Sequence, residues 1–396
     1  MSQTKEKIAI VGSGAMGTGI AQVAASNGHN VCVYDANQDS MDRSSESLKK
    51  IMTRLTEKGK ITEERAIDIL SRITYCPSID KLADAKLVIE AIVEDLEIKK
   101  NVFSHLEIIT DDDTLLATNT SSLSIASICS ACAKPERVLG IHFFNPAPLM
   151  PLVEIIPAVQ TSGETLIEAR NLIDSWGKTT VVAKDTPGFI VNRVARPFYG
   201  EAIRIYEEGI ADIPTIDWAV KEIGKFRMGP FQLMDYIGND VNYAVTESVF
   251  KEFFYDPRYK PSFTQKRMVE AGWLGRKTKR GYYDYKEGAE NKAPTEDKDL
   301  GEKIVNRMLL MLINEAVDAL YLNISSRDGI DLAMTKGVNY PKGLLAWADE
   351  IGLQRVLSGL EELYNTYRED RYRPSVLLRK MAEEKKTFYP EKVIEN

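Results

Sequence analysis

The chain has 396 residues, of which 44% are apolar and 28% charged, the balance of an ordinary soluble globular protein long enough for two or three domains. A formal net charge of −7 excludes the basic surface that non-specific nucleic-acid binding needs, and no apolar run approaches the roughly 20 residues of a bilayer span. Four cysteines do not make a disulfide framework, and the first residues show no signal peptide, so the expectation is a reducing cytoplasm.

From residue 7 to 185, short β-branched runs alternate with helical patterns, which predicts a parallel α/β sheet. Strands are predicted near 7–11, 30–34, 73–76, 86–90, 114–118, 137–141, 151–156 and 179–183. The first, Lys7-Ile8-Ala9-Ile10-Val11, runs into Gly12-Ser13-Gly14-Ala15-Met16-Gly17 at the start of a helix. This is G-x-G-x-x-G in its required context. Gly12 makes the turn, Gly14 admits a pyrophosphate, and Gly17 lets the helix lie close on the sheet, its N-terminus facing the phosphates. The second strand ends on Asp35, an acceptor for a ribose 2′-hydroxyl whose charge would repel a 2′-phosphate. The loop therefore reads as a site for NAD rather than NADP.

A polar helical hairpin at about 39–72 is an insertion relative to a minimal nucleotide-binding unit. Its Lys49, Lys50, Arg54, Lys58 and Lys60 are candidate contacts for a polyanionic ligand, and Ser47 and Arg54, seven apart, share a helix face. Asn119-Thr120-Ser121-Ser122 follows a strand on the side where open α/β sheets bind ligands. Cys129 and Cys132, inside a predicted helix from Ser124 to Ala133, have redox-like spacing but no partner pair, so core packing is expected. His29 and His105 read as solvated.

The third histidine, His142, ends a strand in Gly-Ile-His-Phe-Phe-Asn-Pro-Ala-Pro at 140–148, and Glu154 lies on the next. Histidine exchanges a proton near neutral pH, and a carboxylate that fixes its tautomer makes it a base. A proton acceptor beside a dinucleotide site reads as an alcohol dehydrogenase. Asn192, where the α/β part meets the helical part, falls at a junction of the kind that favours substrate clefts.

Beyond Pro187 the pattern is helical, with helices predicted near 187–208, 212–223, 240–253 and 262–270, then a Gly-Tyr-Tyr-Asp-Tyr segment at 281–285. A polar stretch at 287–299 reads as a linker. The chain beyond the linker is a repeat: Ile190-Val191-Asn192-Arg193 recurs as Ile304-Val305-Asn306-Arg307, and without gaps 14 of 49 positions match at an offset of 114, too long a match for chance between amphipathic helices. The expected domains are 1–185, 186–286 and 300–396, with the two helical copies forming a pseudo-dimer within one chain.

The chain resembles the L-3-hydroxyacyl-CoA dehydrogenase family along nearly all its length. The resemblance is carried by Gly-Ser-Gly-Ala-Met-Gly-Thr-Gly-Ile-Ala at 12–21, Glu-Ala-Ile-Val-Glu-Asp-Leu at 90–96, Asn-Thr-Ser-Ser-Leu at 119–123, His-Phe-Phe-Asn-Pro-Ala-Pro-Leu-Met at 142–150 and Asp-Thr-Pro-Gly-Phe-Ile-Val-Asn-Arg at 185–193. It implies a Rossmann-type domain followed by all-α domains like the C-terminal domain of 6-phosphogluconate dehydrogenase, here in tandem. It also implies reversible NAD-dependent oxidation of L-3-hydroxyacyl-CoA, in fatty-acid β-oxidation or in butanoate or phenylacetate breakdown. His142 would be the general base paired with Glu154, and Ser121 and Asn192 would hold the reacting part of the substrate. Glu94, Lys99, Asn119 and Asn145 would line the cofactor pocket with Gly12, Gly14, Ala15, Met16, Gly17 and Asp35. Ser47 and Arg54, with Lys50 beside them, would contact coenzyme A. The expected partners are an acyl-CoA substrate, no nucleic acid, no membrane, and further association into a homodimer. Two alternatives stay open at this point: a non-catalytic NAD-binding homologue, and a dehydrogenase of free 3-hydroxy acids.

Overall fold

A computed structural model describes residues 5–390; the readings at 1–4 and 391–396 lie outside the described residues. The chain divides into two compact units, Met1–Thr186 and Pro187–Asn396. No helix among the described residues is long and apolar enough to cross a membrane.

The first unit holds one eight-stranded sheet. Its strands are β1 (Lys5–Val11), β2 (His29–Tyr34), β3 (Ile73–Tyr75), β4 (Leu87–Glu90), β5 (Leu115–Thr118), β6 (Val138–Phe143), β7 (Leu152–Pro157) and β8 (Thr179–Val182), each within two residues of its predicted bounds. The order is β3-β2-β1-β4-β5-β6-β7-β8; pairing is parallel throughout except between β6 and β7. Strands β4, β5 and β6 are buried along their whole length, as continuous apolar runs covered on both faces must be. Helices α1 (Ala15–Ser26), α2 (Gln38–Glu57), α3 (Glu63–Ser71), α4 (Leu96–Ile109), α5 (Ile125–Cys129) and α6 (Gly163–Ser175) join them. Five start on side-chain caps, Asn37, Thr62, Asp95, Ser124 and Ser162, each accepting from a backbone N–H in the first turn. Strand order reverses between β1 and β4, which opens a ligand crevice at their C-terminal ends.

Three expectations are corrected here. Cys32 and Cys76 form a disulfide. Cys32 pairs with Thr74 across β2 and β3, and Cys76 lies two residues further on the same sheet face, so a separation of 44 residues becomes a Cα distance of 6.1 Å. The helix bearing Cys129 ends there, so Cys132 lies outside it; burial pushes the Cys129 thiol up to about 12 and the Cys132 thiol up to about 11, consistent with packing rather than reactivity.

His29, expected to be solvated, is 3% exposed. Its Nδ1 meets the Glu6 carbonyl at 2.8 Å and its Nε2 accepts from Trp176 Nε1 at 3.0 Å, 147 residues away. Burial holds its pKa below 6.5, so the unfolded chain takes up the proton first as pH falls. The stability His29 contributes is therefore present above about pH 6.5 and lost as pH drops toward the folded-state pKa. In thermal denaturation from pH 7.5 to 5, the Tm gap between wild type and His29→Gln should narrow; a gap that widens toward pH 5 would refute this.

The second unit contains α7 (Val191–Val194), α8 (Arg196–Glu207), α9 (Ile213–Trp218), α10 (Pro230–Ile237), α11 (Asn239–Glu252) and α12 (Phe263–Glu270), then α13 (Lys298–Tyr321), α14 (Arg327–Leu332), α15 (Leu344–Ile351), α16 (Leu353–Tyr367) and α17 (Val376–Glu383). The helix predicted from 187 starts only at 191, because Gly188 (φ +71°) and Phe189 (φ +46°) turn the chain. The short α10, bracketed by Gly229-Pro230 and Gly238, was not predicted.

Features 114 residues apart behave alike in this unit. Asp217 accepts from the Phe231 and Gln232 amides, and Asp331 from those of Leu345 and Ala346. A Cβ on Gly229 would lie 2.3 Å from Asp217 Cγ, and one on Gly343 would lie 2.3 Å from Asp331 Cγ. Five-residue π turns follow α9 and α14, at Ala219–Ile223 and Ala333–Gly337. Where α7 and α8 pack on α13, Arg193 Nε donates to Glu315 at 2.7 Å and Arg307 Nε donates to Glu201 at 3.0 Å. Tyr259 and Tyr372, 113 residues apart, donate to the same two carboxylates, Glu315 and Glu201.

Candidate active site

Antiparallel pairing sets His142 on β6 directly opposite Glu154 on β7, so the side chains fall on one face. His142 Nδ1 and Glu154 Oε2 are 2.7 Å apart, and both residues are buried. A fully buried carboxylate at this distance orients the imidazole through Nδ1, the arrangement found where a histidine acts as a base. The Phe144 ring packs 4.5 Å from the imidazole, centroid to centroid.

The neighbouring strand end is tied to this pair. Asn119, just after β5, accepts the Phe143 amide on Oδ1 at 2.8 Å. Half-buried Ser121, two residues on, has its amide held by Glu94 Oε1 at 3.0 Å. The same oxygen accepts from Thr120 Oγ1 at 2.5 Å and Ser122 Oγ at 2.8 Å, so one carboxylate shapes the whole Thr-Ser-Ser turn. Burial pushes the Glu94 pKa up, but the Lys99 charge and these donors outweigh it and hold the group below its ordinary value.

Lys99 does not reach outward. It is 1% exposed, and its Nζ bridges Glu90 at 2.6 Å and Glu94 at 3.3 Å. Glu90, wholly buried at the end of β4, also accepts from the Ile92 amide and Thr118 Oγ1, each at 2.7 Å. Sequence reading missed Glu90, although an acid closing the run Leu-Val-Ile-Glu is itself a signal that a cation lies nearby.

At the crevice between β1 and β4, Gly12 has φ +103°, and a Cβ there would lie 2.5 Å from the Ala91 carbonyl oxygen. A Cβ on Gly17 would lie 1.9 Å from the Gly12 carbonyl oxygen, so only glycine allows this strand-to-helix contact. Gly14 has open space around it and caps α1 without a side-chain hydrogen bond, leaving first-turn N–H groups to face a phosphate. Asp35 is oriented by the Ser13 amide and hydroxyl on Oδ2 and by the Asn37 amide on Oδ1. Gly12, Gly14, Ala15, Met16 and Asp35 line a cavity of about 920 Å³, large enough for a dinucleotide's adenosine and phosphates. The donor set and the glycine cradle fit NAD.

The far wall of that cavity is Ile98, Asn101, Val102 and His105, one face of α4. His105 was expected to be solvated; it is half-exposed but lines the cavity, with Nε2 3.9 Å from Asp80 Oδ1. Its spacing of seven from Ile98 was the sign that could have found it. Glu94, Lys99, Asn119 and Asn145 do not line this cavity; Asn145 is exposed in the turn after β6. Ser47, Lys50 and Arg54 are exposed together on α2, opposite its buried Met41, Ser44, Leu48 and Met52. Asn192 belongs to the second unit, half-buried in α7, and its carbonyl accepts from Arg196 Nε at 2.8 Å.

Comparison with known proteins finds relatives along nearly the whole chain. The family model described as "3-hydroxyacyl-CoA dehydrogenase, NAD binding domain" matches residues 7–186, and "3-hydroxyacyl-CoA dehydrogenase, C-terminal domain" matches 188–285 and 304–391. The 3-hydroxyadipyl-CoA dehydrogenase of Escherichia coli K12 is 38% identical, covering 95% of this chain and 97% of the relative. The 3-hydroxybutyryl-CoA dehydrogenase of Clostridioides difficile is 44% identical, over 70% of this chain and 99% of its own length. A crystal structure described as 3-hydroxybutyryl-CoA dehydrogenase, from Escherichia coli K12, superposes with a TM-score of 0.90 at 37% identity, covering 96% and 98% of the two chains.

Proposed function

This chain belongs to the 3-hydroxyacyl-CoA dehydrogenase family of NAD-dependent oxidoreductases, and from that premise we propose that His142 is the general base in oxidising L-3-hydroxyacyl-CoA to 3-oxoacyl-CoA. The observation that carries the reading is the buried 2.7 Å contact between His142 Nδ1 and Glu154. Nicotinamide, when bound, accepts the hydride that leaves carbon 3. His142 takes the hydroxyl proton on Nε2, and Glu154 stabilises the imidazolium so formed. Ser121, held in place through Glu94, hydrogen-bonds the reacting oxygen; Asn192 positions the acyl chain. In the reverse direction the imidazolium returns the proton to the 3-oxo group.

The coenzyme A tail would lie against the exposed Ser47, Lys50 and Arg54 face of α2, where cations offset a net-negative chain. The deciding experiment is NADH formation from NAD with L-3-hydroxybutyryl-CoA and, in parallel, free L-3-hydroxybutyrate. Turnover of the thioester alone supports the reading. Turnover of both equally would make the α2 face irrelevant, and turnover of neither, with NAD still bound, would leave a non-catalytic homologue.

The helical unit is, on the same proposal, two copies of one domain docked as an internal pseudo-dimer. Supporting this are the 114-residue offset in sequence, the matching Asp217 and Asp331 sites, and the reciprocal pairs Arg193–Glu315 and Arg307–Glu201, the pattern of an isologous contact. A chain ending within 287–297 would expose the α8 face and should sediment as a dimer; a stable monomer would refute the proposal.

A further inference from the structure

The link from β6 to β7, residues 144–151, joins the strand of His142 to the strand of Glu154. Asn145, Pro146 and Leu149 are exposed in it, and of its residues Ala147 alone is buried. The Leu149 and Met150 amides both donate to the Pro146 carbonyl, which makes a single helical turn whose last carbonyls need partners from elsewhere. One side chain supplies two of those partners. Lys178 Nζ donates to the Ala147 carbonyl at 2.5 Å and to the Met150 carbonyl at 2.8 Å.

Lys178 comes from an anchored loop between α6 and β8. Trp176 is buried there, stacks on Phe143 with ring centroids 6.3 Å apart, and donates Nε1 to His29; its carbonyl accepts from Asn27 Nδ2 at 3.3 Å. Gly177 (φ +71°) then turns the chain into Lys178. The lysine is half-buried, and burial alone holds its pKa below the ordinary lysine value, with no carboxylate acting the other way. A lysine held like this also gives up rotamer freedom. The turn it clamps bears on the chemistry at two points. Phe144 sets its ring 4.5 Å from the His142 imidazole. Further along, the turn packs on α1, where a Cβ on Gly19 would lie 3.3 Å from both Ala147 Cβ and Pro148 Cδ.

We propose that Lys178 is a positioning residue for the oxidation, holding the 144–150 turn so that Phe144 keeps the His142 imidazole in its working orientation. This rests on the reading of His142 as the general base. Lys178 donates to backbone carbonyls, so it acts through the turn rather than on the reacting atoms. Charge-assisted donation to two carbonyls fixes a mostly exposed segment that its own packing leaves free. Reaction geometry is unforgiving, and a shift of about 1 Å made at a distance can cost roughly 10²-fold in rate.

The test measures kcat and KM for L-3-hydroxybutyryl-CoA, NAD affinity by calorimetric titration, and Tm. Lys178→Met keeps the apolar stem and removes the donors. Its kcat should fall by about 10- to 100-fold, while KM and NAD affinity stay within about twofold of wild type. Lys178→Arg, which can still donate to both carbonyls, should recover most of the loss. In a His142→Gln background no imidazole is left to orient, so Lys178→Met should lower the residual kcat by less than about twofold. The full loss repeated in that background overturns the proposal, because a lysine that merely supports the fold would act with or without the base. Lys178→Met with wild-type kcat overturns it too, as does Lys178→Arg that restores Tm and not kcat. Should Lys178→Met fail to fold, Lys178→Gln replaces it, and equal kcat in Lys178→Gln and Lys178→Arg has the same force. A wild type that binds NAD but does not turn over the thioester would instead sink the dehydrogenase reading, and this proposal with it.

Discussion

His142→Gln is expected to lower kcat by about 10²- to 10⁴-fold while NAD still binds, the range that one positioned acid–base group contributes. Glutamine keeps a polar side chain of similar bulk on β6 opposite Glu154, so the sheet register survives. What it lacks is a nitrogen that can take up a proton. The glycine loop that cradles the phosphates follows β1, separated from β6 by β4 and β5, so cofactor affinity should change little. Calorimetric titration with NAD and a steady-state assay of NADH formation separate the two effects. Groups that act as a unit are not additive, so adding Glu154→Gln to His142→Gln should cost far less than Glu154→Gln alone. Unchanged turnover in His142→Gln would remove the residue from the chemistry altogether.

The second large effect is on stability. Lys99→Met leaves the fully buried Glu90 carboxylate without its cation, and breaking such a pair from one side costs about 3–5 kcal/mol. For a unit of this size that is a fall in Tm of roughly 10 °C. The double variant Lys99→Met/Glu90→Gln removes both charges and should recover much of the loss. Activity should fall as well in the single variant, because Lys99 also holds Glu94, and Glu94 shapes the turn that carries Ser121. A single variant with wild-type Tm would mean that Lys99 is not the strut its contacts describe.

All eight strands and the dinucleotide loop were legible in the sequence because they depend on local pattern: β-branched runs, glycine spacing, and an acid at the end of β2. His142 and Glu154 were legible for a related reason, each lying on its own strand with a Pro-rich turn between. What stayed hidden depends on contacts distant in sequence. Trp176 buries His29 from 147 residues away, and the 38–71 hairpin separates Cys32 from its partner. The burial of Lys99 was equally invisible, because a lysine on an amphipathic helix looks the same whether it meets solvent or a carboxylate on the next strand.

The reciprocal arginine–glutamate pairs carry one more consequence. In an assembly of two identical chains, every substitution is made twice, so neither side can change alone. If the two halves are copies of one domain, as proposed, they have since drifted apart. Asp318 stands where the earlier half has Arg204, giving Arg258 a second carboxylate, and Leu310 stands where the earlier half has Arg196. Covalent linkage would let each half of such a pair change without the other, which two identical chains cannot do.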